Sequence, residues 1–187
     1  MKKTLLSLAL AFAASTGAAN AAPVYAQAIV SSDQNGTTVA LDRSNPNAVI
    51  GAADGVFYSL GLGGNLVLDF GVGMATTPGA VSEVTFNLEG YIERMWVYVS
   101  KTLDFSAPAV AYVSNQQAGL PGGTTLTFAT EGFRYVKLVD ASPVRAGRDG
   151  FDVDSISFSP VPVPAAGLML AGAVAGLGAL RRRAKKA

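Results

Sequence analysis

Met95-Trp96-Val97-Tyr98-Val99 is the stretch on which the fold turns. Its residues are aromatic, β-branched or long and apolar, the types that favour extended chain. Successive side chains of a strand face opposite sides, so Trp96 or Val97 points into a core, but not both. Val84-Thr85-Phe86-Asn87-Leu88 has the same character, with one apolar face and one mixed face. Outward from these two segments, short apolar or alternating runs recur between Gly, Pro, Asn and Asp. They predict strands over 24–30, 37–41, 56–60, 65–70, 81–88, 94–100, 110–114, 124–129, 134–139 and 151–159. No stretch between them keeps a helical period for three turns. Many short antiparallel strands with frequent turn signals predict an all-β domain, an antiparallel β-sandwich of the jelly-roll kind, over residues 22–159.

The two ends read differently. Met1-Lys2-Lys3 is a basic start, residues 5–14 are apolar except for Ser7, and Ala19-Asn20-Ala21 offers small residues where a signal peptidase reads. Residues 1–21 therefore predict a signal peptide, with a helical apolar region and cleavage before Ala22. At the other end, residues 160–187 run from the Pro-rich Pro160-Val161-Pro162-Val163-Pro164 through an uncharged apolar stretch, 165–180, to Arg181, Arg182, Arg183, Lys185 and Lys186. As a helix the stretch would be about 24 Å long, against a hydrocarbon layer of about 30 Å. It predicts a short transmembrane helix, and the basic cluster would stay cytoplasmic, leaving the preceding domain outside. A buried core helix is the alternative, but such helices keep a polar face and this one has none.

The end segments distort the charge balance. Residues 22–160 hold 7 Lys and Arg against 13 Asp and Glu, a net charge of −6. An acidic domain repels phosphates, so nucleic acid is not expected as a partner. The chain has no Cys, hence no disulfides, and with no His either it lacks the ligands preferred by zinc and copper and the bases of Ser/His and Cys/His nucleophiles.

The order of Val161-Pro162-Val163-Pro164-Ala165, an apolar helix with Gly and Leu, and Arg181 to Arg183 resembles the VPLPA variant of PEP-CTERM sorting signals, with Val163 where that variant has Leu. The resemblance implies a bacterial envelope, cell-surface or secreted protein. It would be anchored transiently in the inner membrane, and its partners would be signal peptidase and an exosortase-like membrane transpeptidase. A permanent single-span anchor is the alternative reading.

Within the domain, Asn47-Ala48-Val49-Ile50-Gly51-Ala52-Ala53-Asp54-Gly55, Leu66-Val67-Leu68-Asp69-Phe70-Gly71, Val97-Tyr98-Val99-Ser100 and Phe133-Arg134-Tyr135-Val136-Lys137-Leu138 resemble the discoidin-type, galactose-binding-like β-sandwich. Gly150-Phe151-Asp152-Val153-Asp154 resembles the motif closing the uncharacterised domains that precede PEP-CTERM tails. Discoidin-like relatives bind glycans or lipids through loops at one end of the sandwich, and many hold a structural calcium.

Asp149, Asp152 and Asp154 are the densest carboxylates, the last two at strand spacing. With Asp54 from an Asp-Gly turn they form a candidate calcium site, since calcium accepts mixed oxygen ligands. The alternative is that Asp149 tops a turn while Asp152 and Asp154 meet solvent, Arg145 or Arg148. Gly61-Leu62-Gly63-Gly64 reads as a hairpin turn: no Lys follows it, and a strand follows where a phosphate loop needs a helix. Glu83, Glu89 and Glu93 lie on or beside one predicted hairpin and are the carboxylates considered for glycoside hydrolysis, which needs an acid and a base or nucleophile across the bond. Among the aromatic residues, Tyr91 is the candidate for ligand contact and the rest are expected in packing. The sequence thus predicts an exported, non-catalytic glycan-binding or matrix-binding protein whose partner is an extracellular polysaccharide. A purely structural adhesion or coat component is the second reading and a glycan hydrolase the third.

Overall fold

The alternation of the 94–100 segment is kept in three dimensions. Met95, Val97 and Val99 are buried, whereas Trp96 lies on the opposite, outer face. The computed structural model describes residues 22–71, 75–84, 90–118, 123–130 and 132–161. The expected signal peptide, the 165–180 helix, Pro162 to Ala165, Arg181 to Lys186, residues 85–88 and Glu89 lie outside them. No helix among the described residues is long and apolar enough to cross a membrane.

The described residues form β1 (Val24–Tyr25), β2 (Ala28–Asp33), β3 (Tyr58–Ser59), β4 (Asn65–Asp69), β5 (Ala75–Glu83), β6 (Arg94–Ser100), β7 (Ala111–Ser114), β8 (Thr124–Leu126), β9 (Tyr135–Asp140) and β10 (Asp152–Pro160), with one helical turn, α1 (Asn115–Ala118). Two antiparallel sheets result. One runs β1-β10-β5-β8, with β3 also paired to β10; the other runs β2-β4-β9-β6-β7. Their inner faces meet in one core. Val81, Leu126, Ile156 and Phe158 from the first sheet pack with Leu66, Leu68, Val97, Val136 and Leu138 from the second. Phe158 anchors the contact, its ring edge-on to Phe70 at 5.4 Å and to Phe133 at 4.8 Å. Such aromatic pairs add about 0.5–1.5 kcal/mol each beyond burial.

The all-β sandwich matches the expectation, with three local corrections. Segment 37–41 is not a strand: residues 37–40 pair with no ladder, and a 3-10 helix covers Leu41–Arg43. Thr37 and Val39 are half-buried while Thr38 and Ala40 are exposed, so the alternation marks chain lying on the surface without a partner strand. Segment 24–30 is two strands in different sheets, parted at Ala26-Gln27, where Gln27 N–H donates to Asp69 O at 2.7 Å. Finally, β5 begins at Ala75, through Pro78-Gly79. That dipeptide imitates a turn in sequence, yet Gly79 sits opposite Phe158 in the ladder, where a Cβ would collide with its ring.

Candidate functional site

The loop from β9 to β10 is organised by Asp140. It occupies the inward phase of Val136, Leu138, Asp140 and is 4% exposed. A carboxylate there is stable only with its lone pairs satisfied. Oδ2 accepts from Gly63 N at 2.9 Å and Ser142 N at 3.2 Å. Oδ1 accepts from Ser142 Oγ at 2.6 Å and Phe151 N at 2.9 Å. One side chain thereby ties the Gly61–Gly64 turn to both ends of the 141–151 loop. Residues 61–64 do form a turn, with Gly64 N–H donating to Gly61 O at 2.9 Å, but not the expected hairpin: β3 pairs with β10 and β4 lies in the other sheet, so the turn crosses between sheets. Gly150 is required at this junction, because its φ is +86° and a Cβ would lie 2.8 Å from Asp140 Oδ1 and from Gly61 O.

Each residue of the 150–154 motif is then used in the fold. Phe151 and Val153 are fully buried in the core. Asp152 accepts a hydrogen bond from Ser59 Oγ across the β3–β10 pair. Asp154 accepts from Asp54 N at 3.1 Å and Gly55 N at 3.2 Å, clasping that turn to β10, while Asp54 Oδ1 accepts from Val56 N at 2.9 Å.

At the same end of the sandwich the strand termini enclose a cleft of about 390 Å³. Asp42 and Arg43 enter it from the 3-10 helix, Tyr91 and Glu93 from the approach to β6, and Asn115 from the start of α1. Gly147, Arg148 and Asp149 come from the β9–β10 loop, Asp152 from the start of β10, and Phe57 from the approach to β3. Arg43 Nε pairs with Asp149 Oδ2 at 3.1 Å. The Arg148 guanidinium stacks over the Tyr91 ring, 5.2 Å from its centroid, while Tyr91 Oη donates to Pro143 O at 2.9 Å. Burial, then the charges of Glu93 and Asp140, push the Tyr91 hydroxyl up to about 12.

The cleft's acids are not ordinary carboxylates. Burial pushes Asp152 up to about 8, against the opposing pull of the Ser59 hydrogen bond and with the help of Glu93. Glu93 is raised as well, first by burial and then by Glu83, with which it shares a hydrogen bond. Both shifts favour the protonated form, which can donate, while Arg148 and the Asp149-paired Arg43 supply guanidinium groups.

The four carboxylates of the calcium expectation are therefore divided. Asp149 and Asp152 line the cleft with Tyr91, whereas Asp54 and Asp154 form a separate clasp. No group of three or more carboxylates among the described residues is placed to hold a metal ion. Asp149 pairs with Arg43, not with its neighbour Arg148. Tyr91 does reach the cleft, but it is 8% exposed with Arg148 on its ring, so it presents the guanidinium and not a bare aromatic face. The Glu83–Glu93 hydrogen bond leaves no space for a glycosidic oxygen between the two groups, which glycosidases hold about 5 Å or more apart. Asp140, Arg43, Arg148 and Asn115 were not singled out from sequence as site residues. For Asp140 the signal was present, as an acid at the apolar phase of a strand. The others meet only through tertiary pairing.

No protein-family model matches the sequence. No curated protein matches it either. Among solved structures, it is similar to a CBM32 of AlyQ in complex with 4,5-unsaturated mannuronic acid, with a TM-score of 0.53 and 12% identity over 73% of this chain and 97% of that one. At that identity the likeness shows the fold alone, a discoidin-like β-sandwich.

Proposed function

We propose that this domain is a non-catalytic carbohydrate-binding module and that its ligand, a sugar bearing a carboxylate, sits in the cleft between Arg43, Arg148 and Asp152. The observation that carries the reading is a concave polar site of ligand size in which two guanidinium groups, Arg43 and Arg148, stand beside the buried carboxyl groups of Glu93 and Asp152. Guanidinium forks match carboxylates bidentately, and neutral carboxyls donate to ring hydroxyls without repelling the anion. The CBM32 with a bound sugar acid supports the choice of ligand class. The chain is delivered by its 1–21 signal peptide and processed at the 161–165 motif by an exosortase-like enzyme, so that the module reaches extracellular polysaccharide. The sequence order of the tail supports that route.

Calorimetric titration of the full-length protein with uronic-acid oligosaccharides and with their neutral counterparts tests the reading. Saturable binding of the acidic series, weakened about tenfold or more in Arg148→Ala, is expected. Binding of neither series would leave a structural coat protein in its place.

A further inference from the structure

The outer face of the second sheet has an aromatic and cationic surface that the cleft does not use. Trp96 and Tyr112 are directly paired across β6 and β7, with ring centroids 4.2 Å apart, and remain 41% and 45% exposed. Packing alone would cover them, since large aromatic rings are the side chains that gain most from burial. By strand alternation Arg94, Trp96 and Tyr98 share this face of β6, and Tyr135, Lys137 and Val139 share that face of β9. The ladder sets Trp96 beside Val139 and Tyr98 beside Lys137. A row of flat rings thus runs beside Lys137, with Arg94 at the next outward position along β6.

Charge is distributed unevenly over the domain. Acidic side chains gather at the cleft, where Asp42 and Asp149 stand beside Arg43 and Arg148. On the sheet face Asp69 is held by Arg134 through bonds of 2.9 and 2.7 Å, and Asp104 of the β6–β7 connection accepts from Ser106 N and Oγ. Neither Arg94 nor Lys137 forms an ion pair among the described residues. The domain is acidic in total, yet at about 0.15 M salt screening sets in beyond about 8 Å, so a ligand on this face senses the local cations.

We propose that this face is a second carbohydrate platform, distinct from the cleft, on which an anionic polysaccharide chain lies with sugar rings stacked on Trp96 and Tyr112 and carboxylates held by Lys137 and Arg94. The C–H side of a pyranose is apolar and carries partial positive charge, which the negative face of an aromatic ring attracts. The adjoining ammonium and guanidinium select polymers with acidic groups. A flat, open face takes the middle of a long chain, whereas a cleft of about 390 Å³ takes a short segment or an end.

Trp96 is the sole tryptophan, so its fluorescence reports on this face directly. Full-length protein is titrated with polygalacturonate and with the same polymer methyl-esterified, which keeps the rings and removes the charge. A saturable change in Trp96 emission is expected with polygalacturonate, at least tenfold weaker in Tyr112→Ala and in Lys137→Glu and with the ester. Circular dichroism and thermal melts confirm that both variants fold. Calorimetric heat without a Trp96 response would assign the polymer to the cleft and overturn the proposal, as would equal responses to acid and ester. Burial of Trp96 that grows with protein concentration in the absence of polymer would also overturn it, making the face an interface between two copies.

Discussion

Replacing Asp140 with Ala removes an acceptor shared by four donors: Gly63 N, Ser142 N, Ser142 Oγ and Phe151 N. Hydrogen bonds to a charged group contribute about 1.5–3 kcal/mol each, but donors tied to one group are not additive, and the Ser142 hydroxyl can turn to another acceptor. Three backbone N–H groups, those of Gly63, Ser142 and Phe151, remain to be stranded in a region where Asp140 is 4% exposed. The expected loss is about 3–5 kcal/mol, a large share of a domain's stability. Asp140→Asn separates hydrogen bonding from shape. Its carbonyl serves either the Oδ1 or the Oδ2 donors while its NH2 confronts the other pair, so about half the loss is expected. Urea denaturation at pH 7 gives both values from the midpoints, provided the slope is unchanged. A loss below about 1 kcal/mol for Asp140→Ala would mean that water reaches these donors, and the role of Asp140 as organiser of the cleft loop would be refuted.

Gly150→Ala places a Cβ against Asp140 and Gly61 at positive φ, so a destabilisation of about 2–4 kcal/mol is expected in the same urea assay. Stability should fall as pH rises from about 4 to about 8: the unfolded chain loses the Asp152 proton near its ordinary value of about 3.9, while the folded chain keeps it until about 8. Thermal melts should show Asp152→Asn, which keeps an acceptor for Ser59, gaining on the wild type between pH 5 and pH 8; parallel pH profiles would remove the buried acid from the account. Asp69 acts with the opposite sign, since its bidentate bond to Arg134 lowers its pKa and the resulting stability is lost as pH falls through that lowered value. Asp69→Asn should therefore lessen the acid-side decline in the same melts. Arg181, Arg182 and Arg183 changed together to Ala should make the tail pass through the membrane instead of stopping there, detected by fractionation of expressing cells as loss of the membrane-held precursor.

Much of the sandwich was legible because its strands obey a period of two in a sequence that places β-branched and aromatic residues on strands and Gly, Asn and Asp between them. Segments 65–70, 94–100, 134–139 and 151–159 fall within a residue of β4, β6, β9 and β10. Segment 37–41 shows what such a pattern cannot distinguish, because an extended chain lying on a surface alternates just as a paired strand does. Pro78-Gly79 shows the converse: a glycine demanded by the Phe158 ring looks like a turn until the partner strand is known. At the site, Tyr91, Asp149 and Asp152 were legible as polar or aromatic groups near loops. Their company was not, since Arg43 reaches Asp149 from a distant segment and Glu93 meets Glu83 only because the two sheets pack together, β5 lying in one and β6 in the other.

The 150–154 motif shows why a carboxylate-rich signature need not signal a metal. A cation site leaves oxygens free to converge, whereas here Asp154 is taken by two backbone N–H groups and Asp152 by a hydroxyl, and both lie in a largely apolar layer. Burial in that layer favours the protonated form of Asp152, so that Asp149, paired with Arg43, and Asp42 carry the negative charge of the cleft beside Arg43 and Arg148. Ionised Asp152 and Glu93 would cancel much of the guanidinium attraction for a sugar acid; in protonated form they reinforce it. Affinity in the cleft should therefore hold through neutral pH and fall above about pH 8, as Asp152 ionises, whereas binding on the Trp96–Tyr112 face, which depends on Lys137 and Arg94, should persist there.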